Sequence, residues 1–162
     1  MKLVTCILED SEHLAFLIGT SIYPCGKVDS KFPDSMDKYL HAALSIKAAM
    51  KDAYQKLFSS KNEETHHTLV NTILEAPIPR PGSLRDAYAF RQHVATSRRN
   101  RGLEMIPEFD LFPVFYFSNH RAIYGPGAVS CMPKHLDKLD FELEVAIVID
   151  KQGKNIPASE AD

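Results

Sequence analysis

The chain has no CxxC pair, and its three cysteines, Cys6, Cys25 and Cys131, are odd in number and far apart. Neither a disulfide framework nor a zinc cluster is built from such spacing. A reducing, cytoplasmic setting is therefore expected. No apolar run approaches the length of a membrane span, so no membrane partner is expected. Glu9 and Asp10 arrive before an apolar signal core could form, so no secretory leader is expected. Charge of either sign is nearly balanced, at −2 overall, which argues against non-specific nucleic-acid binding by the whole chain. Internal repeats and low-complexity tracts are absent. What remains is a length of 162 residues, enough to bury a real core in one domain, or in one small domain plus part of another.

The first 78 residues have the pattern of a small α/β domain, a hairpin followed by a long helix. Residues 1–8 and 14–22 are β-prone, and the polar residues Glu9, Asp10, Ser11 and Glu12 predict the turn between them. Pro33, Asp34 and Ser35 signal a helix start with Asp34 or Ser35 as N-cap. From Met36 through Tyr39, Leu40, Ala43, Ile46, Met50, Ala53 and Tyr54 to about Phe58, apolar residues recur at helical spacing and predict one helix with a core-packing stripe. The polar stretch 59–64 ends it. His66 and His67 are adjacent, and adjacent side chains diverge on any regular element, so they are not expected to share a metal. Pro77, Pro79 and Pro81 alternate and enforce a stiff extended crossing. A domain boundary is expected there, with a second domain over 79–162.

In that second part, Ser83 is expected to cap a helix over 84–99, residues 112–117 to form a buried strand, and residues 124–127 a turn. Residues 139–149 predict another strand. Phe141, Leu143 and Val145 would point inward and alternate with Asp140, Glu142 and Glu144, which share the other face about 7 Å apart. Alternation is the ordinary pattern of a half-exposed strand with a solvated acidic face. The second reading is chemical: like charges beside a core are costly without a cation, and oxygen donors on a rigid strand suit Mg²⁺, Ca²⁺ or Mn²⁺. At the chain end, Ser159 with Asp162 has the pattern of an N-cap and its acidic partner.

The predicted helix 84–99 is polar where a packing helix should be apolar. Asp86 and His93 are seven residues apart, which on a helix puts them on one face about 10 Å apart, too far to share an ion. That spacing suits a division of labour, with Asp86 near a metal and His93, poised for proton transfer near neutral pH, addressing substrate. The plain alternatives are a hydrogen-bonded helix histidine and an aspartate favouring the helix dipole. Arg98, Arg99 and Arg101 complement the negative helix end.

Taken together, Asp86, Tyr88, Arg91, Gln92 and His93, then Pro113, Val114 and Tyr116, then the run from Leu139 to Glu144, resemble the fumarylacetoacetate hydrolase family over roughly residues 80–162. The resemblance implies an α+β fold in which an incomplete mixed β-roll of the family's catalytic type follows the smaller leading domain, usually in a homodimer. It implies hydrolysis of a C–C bond in a small β-diketo or 2-oxo acid, acylpyruvate-like, with a divalent cation, Mg²⁺ first and Ca²⁺ or Mn²⁺ next. Asp86, Glu142 and Glu144 fall on metal-ligand positions and His93 on the water-activating base. Tyr88 and Tyr116 fall on substrate-contacting positions, and Arg101 is the nearest match to a substrate-binding arginine. Decarboxylation, isomerisation or hydration of a 2-oxo acid is the enzymatic alternative, and a non-catalytic structural or binding remnant is the other. The family draws further site residues from segments downstream of Glu144. The chain is therefore expected to be the front half of a longer enzyme, inactive alone.

Overall fold

A computed structural model describes residues 1–60, 67–149 and 151–161. It divides into two units, Met1–Pro126 and Gly127–Asp162. Its strands pair antiparallel and its helices lie between them in the chain, and the fold is of the α+β class.

The first unit begins with three antiparallel strands, β1 (Leu3–Leu8), β2 (Ser11–Ile18) and β3 (Ser21–Pro24). The β1–β2 turn is Glu9-Asp10, both at positive φ (49° and 60°), the twist a two-residue hairpin needs. The predicted second β-prone stretch is two strands, because Gly19, at φ +60°, reverses the chain within it. Further on, β4 (His67–Thr68) pairs with β3 and β5 (Ile73–Leu74) with β1, giving the order β4-β3-β2-β1-β5.

The predicted long helix is broken. After the short α1 (Cys25–Val28) come α2 (Met36–Leu40) and α3 (Leu44–Ser60). The Ser35 hydroxyl caps α2 by accepting from the Lys38 N–H, while Asp34 pairs with the Lys38 ammonium at 2.8 Å. The Lys47 ammonium donates to the Leu40 carbonyl at 3.0 Å, so a carbonyl left over at the break keeps a partner. The ending expected from residue 59 comes later, since α3 runs through Ser60; residues 61–64, and His66 of the paired histidines, lie outside the described residues.

Strand alternation sorts the sheet's side chains onto two faces. Leu14, Phe16 and Tyr23 join Phe32, Met36, Met50 and Tyr54 in the main core. Phe16 meets the Tyr54 ring edge-on at 5.9 Å and the Phe32 ring at 6.3 Å. Burying a side chain such as Phe16 stabilises by about 1.5–3 kcal/mol. Tyr54 also donates its hydroxyl to the Leu17 carbonyl at 3.2 Å, which ties α3 to β2. Cys6, Ala15 and Ile22 pack on the opposite face. The helical stripe is core over its middle, but Leu44 and Phe58 at its ends are exposed.

The proline-rich crossing is anchored at its start. The Glu75 N–H donates to the Thr5 carbonyl at 2.9 Å, the Thr5 hydroxyl donates to the Pro77 carbonyl at 2.9 Å, and Ile78 packs against the main core. Beyond it lie β6 (Arg85–Ala87), α4 (Arg91–Asn100) and β7 (Phe115–Phe117). Among the described residues of the second unit there are two short 3-10 turns, Pro133–Lys138 and Ala158–Glu160, and no strand. Asp162, the acidic partner expected for Ser159, lies outside the described residues.

Candidate active site

The predicted helix over 84–99 is a strand followed by a shorter helix. Residues Arg85–Ala87 pair antiparallel with Phe115–Phe117, in the register Arg85↔Phe117, Asp86↔Tyr116 and Ala87↔Phe115. The ladder runs one step further on each side, through the Tyr88 N–H to the Val114 carbonyl and the Ser118 N–H to the Leu84 carbonyl. Tertiary pairing overrides the helical start signal here, because an aromatic strand stands opposite. The Arg85 guanidinium lies 4.8 Å from the Phe117 ring centroid and 5.8 Å from that of Phe115. Phe90 is still extended, and the helix opens at Arg91. The strand over 112–117, expected to be buried, is exposed in this two-stranded ribbon: Phe115, Tyr116 and Phe117 are 47%, 56% and 69% accessible.

This changes how Asp86 and His93 are presented. Asp86 sits in the middle of β6 and His93 in the first turn of α4, so they do not share a helix face. Asp86 shares a strand face with Tyr88 instead, about 7 Å along the chain. Across the ribbon, the Tyr116 hydroxyl donates to Asp86 Oδ2 at 2.6 Å. Tyr88, His93 and Arg101 line one small cavity of about 50 Å³ together with Ser97 and Arg98, walled by Val94 and Ile106. Two groupings of candidate residues are thus formed by β6, β7 and α4: Asp86 with Tyr116, and Tyr88 with His93 and Arg101.

The geometry of α4 explains the second grouping. His93, Ser97 and Arg101 are spaced by four and line one face, with Val94 fixed beneath them in the interior. The helix ends in a tight cap: Gly102 adopts φ +71°, and the N–H groups of Arg101, Gly102 and Leu103 donate to the carbonyls of Arg98 and Arg99. Arg98 turns its Nε to the Glu104 carbonyl and so binds the following loop back to the helix. At the other end of α4, Arg91 donates to both carboxylate oxygens of Asp110, at 3.0 and 3.1 Å. That guanidinium holds the Asp110 carboxyl below the usual carboxylate range. Ser97 and Asp110 had no assigned role in the sequence, Arg98 was assigned to the helix end alone, and Arg91 was named only within the family pattern. The repeat of polar residues at His93, Ser97 and Arg101 was the available signal for Ser97; Asp110 offered none.

Glu142 and Glu144 belong to the unit Gly127–Asp162. The buried strand expected over 139–149 is not formed. Phe141, Leu143 and Val145 are 84%, 93% and 88% exposed, and the Asp140 carboxylate accepts from its neighbour's N–H, Phe141 N, at 2.8 Å. A strand exists only through its ladder, and no described strand of this unit stands beside the segment to pair with it. Among the described residues no group of three or more His, Cys, Asp or Glu side chains is arranged to hold a metal ion. Nor, among them, is any helix long and apolar enough to cross a membrane. Cys6 and Cys25 offer no nucleophile: burial pushes Cys6 up to about 11 and, with Cys6 nearby, Cys25 up to about 12.

Comparison with known proteins gives these arrangements a context. Residues 83–162 match the family described as fumarylacetoacetate (FAA) hydrolase, C-terminal. The chain is 27% identical over 166 residues to a fumarylacetoacetate hydrolase domain-containing protein 2 homolog of Dictyostelium discoideum, a match covering 99% of the chain and 50% of that protein. Over 73 residues, 45% of the chain, it is 33% identical to an uncharacterized protein of Pyrococcus abyssi, of which 31% is covered. A similar protein of Pyrococcus horikoshii is 32% identical over 73 residues, 30% of its length. The chain therefore spans half or less of the length of the curated relatives it matches.

Proposed function

The chain belongs to the fumarylacetoacetate hydrolase family, and on that premise we propose that it takes part in divalent-cation-dependent hydrolysis of a C–C bond in a small β-diketo or acylpyruvate-type acid. Members of the family are enzymes, generally dependent on a divalent cation. The observation that carries the reading is the cavity in which Tyr88, His93 and Arg101 meet beside a second guanidinium, Arg98. A general base next to fixed positive charge suits an anionic substrate that must be attacked by water.

The donor set fits a hard cation. Asp86, Glu142 and Glu144 offer carboxylate oxygens alone, the choice of Mg²⁺, Ca²⁺ or Mn²⁺ rather than zinc. Asp86 is moreover oriented by a hydrogen bond, as ligating carboxylates are. These three residues would hold the ion, and a bound ion supplies Lewis acidity to the dicarbonyl. The chain's own groups do the rest. Arg101 holds the substrate carboxylate, and Tyr88 contacts the substrate beside it. His93 takes a proton from the attacking water and returns it to the carbon that leaves.

The domain organisation that accompanies this reading is a leading domain over 1–78 and the start of the catalytic domain over 79–162. The family match beginning at residue 83 supports it. Because the match covers half or less of each relative, the 162 residues alone are proposed to lack turnover, with activity in a full-length homodimer. The test is hydrolysis of an acylpyruvate by the full-length protein with Mg²⁺. His93→Ala should lower kcat at least about 100-fold, the scale of a lost general base, and leave cation affinity nearly intact. An unchanged rate removes His93 from its role. The presence of that histidine favours hydrolysis over decarboxylation or isomerisation, which can dispense with a base for water.

A further inference from the structure

We propose that Tyr116 is a positioning residue: its hydroxyl fixes the Asp86 carboxylate in the orientation needed to bind a divalent cation. The inference rests on the reading of Asp86 as a cation ligand and assigns the residue that makes it one.

Three observations carry it. Asp86 and Tyr116 are direct cross-strand partners, so their relative placement is set by the β6–β7 register and not by a chance approach of two loops. Ladder hydrogen bonds beyond both ends of the strands, Tyr88 to Val114 and Ser118 to Leu84, hold that register. The hydroxyl–carboxylate distance of 2.6 Å lies in the short range of charge-assisted O–H···O⁻ bonds.

A phenol has one proton to donate. While Asp86 accepts it, Tyr116 has no proton to offer a substrate, and a 2-oxo acid presents mainly acceptor oxygens. Tyr116 therefore acts through the carboxylate. Its hydrogen bond engages one of the two Asp86 oxygens and sets the plane in which the other is presented. Without it, a side chain on an exposed two-stranded ribbon regains rotamer freedom that ion binding must then remove. Outer partners of metal ligands are typically worth 10–100-fold in metal affinity.

The experiment is Mn²⁺ binding to the full-length protein, followed by calorimetry and by the electron paramagnetic resonance of the free ion. Wild type is compared with Tyr116→Phe, Asp86→Asn and Tyr88→Phe. Each variant is first melted in cation-free buffer to establish that it folds. Tyr116→Phe should bind Mn²⁺ about tenfold more weakly or worse at an unchanged cation-free melting temperature. Tyr88→Phe should bind as wild type does. Asp86→Asn should bind far more weakly than either, and adding Tyr116→Phe to it should produce no further loss. Unaltered Mn²⁺ affinity in Tyr116→Phe, with a raised KM for the acylpyruvate, would make Tyr116 a substrate contact and overturn the proposal while leaving the cation site standing. Equal affinity in wild type and Asp86→Asn would remove the cation site itself, and the proposal with it.

Discussion

The Thr5 side chain, 1% exposed in the middle of β1, donates its hydroxyl to the carbonyl of Pro77, 72 residues further along the chain, at 2.9 Å. The bond fixes the start of the proline-rich crossing to the sheet at the point from which the chain departs toward β6. Thr5→Val keeps the shape and removes the donor, so it should lower the unfolding free energy by about 1 kcal/mol. Urea denaturation reads this as a lower midpoint at an unchanged slope. An unchanged midpoint would mean that water replaces the hydroxyl without loss.

Gly125 marks a close approach of two backbones. A Cβ there would meet the Leu74 carbonyl oxygen and stand 2.7 Å from Glu75 Cα, neither of which is the end of a flexible side chain. Gly125→Ala should therefore destabilise by about 1–3 kcal/mol, the cost of overpacking. Gly26→Ala is the control, since nothing lies within 4 Å of the added carbon. Differential scanning calorimetry should show a lower melting temperature for the first substitution alone.

Alkaline pH should weaken the fold through two thiols. Cys6 and Cys25 ordinarily ionise at 9.0, but in the fold they do so at about 11 and about 12, because burial disfavours the thiolate. A raised value stabilises the protonated fold. That contribution is whole below pH 9 and is lost as pH climbs through 11 to 12, since the unfolded chain ionises first. Melting temperatures recorded from pH 7.5 to 10.5 should fall, and Cys25→Ala should flatten the fall whatever its effect at neutral pH. An identical slope in the variant would show that the thiols do not drive it.

The leading part of the fold was largely legible because it rests on local signals. The hairpin turn, two residues shorter than the polar stretch Glu9 to Glu12, the Ser35 cap and the Met50 and Tyr54 stripe each depend on residues close in sequence. The break at residues 41–43 was not, because Lys47 stabilises it from the next helix. In the second part, the run from Ser83 to Ala87 had a helix-start signal, yet it pairs with β7, a choice made by a partner some 30 residues away. The strand expected over 139–149 needed a neighbour as well, and alternation alone cannot supply one. The candidate site shows the same division. Tyr88, His93 and Arg101 were picked as separate matches, and α4 brings them to one cavity with Ser97 and Arg98. The bond from Tyr116 to Asp86 follows from strand register, which a helical reading of residue 86 could not contain.

The loop after α4 is tied by Arg98 to the Glu104 carbonyl and by Arg91 to Asp110; Arg101 lies before both ties, and Ile106, which walls the cavity, lies between them. The Arg91–Asp110 pair is exposed and should add little to global stability. Its loss should act locally: Arg91→Gln should raise KM for an anionic substrate several-fold with kcat nearly unchanged, because the cavity wall at Ile106 is held less firmly. Steady-state kinetics of the full-length protein distinguishes this from a general loss, in which kcat falls as well.

We propose Asp86, Glu142 and Glu144 as the oxygen ligands of a divalent cation, and calorimetric titration of Mg²⁺ into full-length protein tests that proposal most directly. Wild type should bind one ion per chain, and Asp86→Ala, Glu142→Ala and Glu144→Ala should each abolish the heat or weaken it at least about tenfold, the lower end for lost support of a metal site. Equal heats in wild type and Glu142→Ala would contradict the claim.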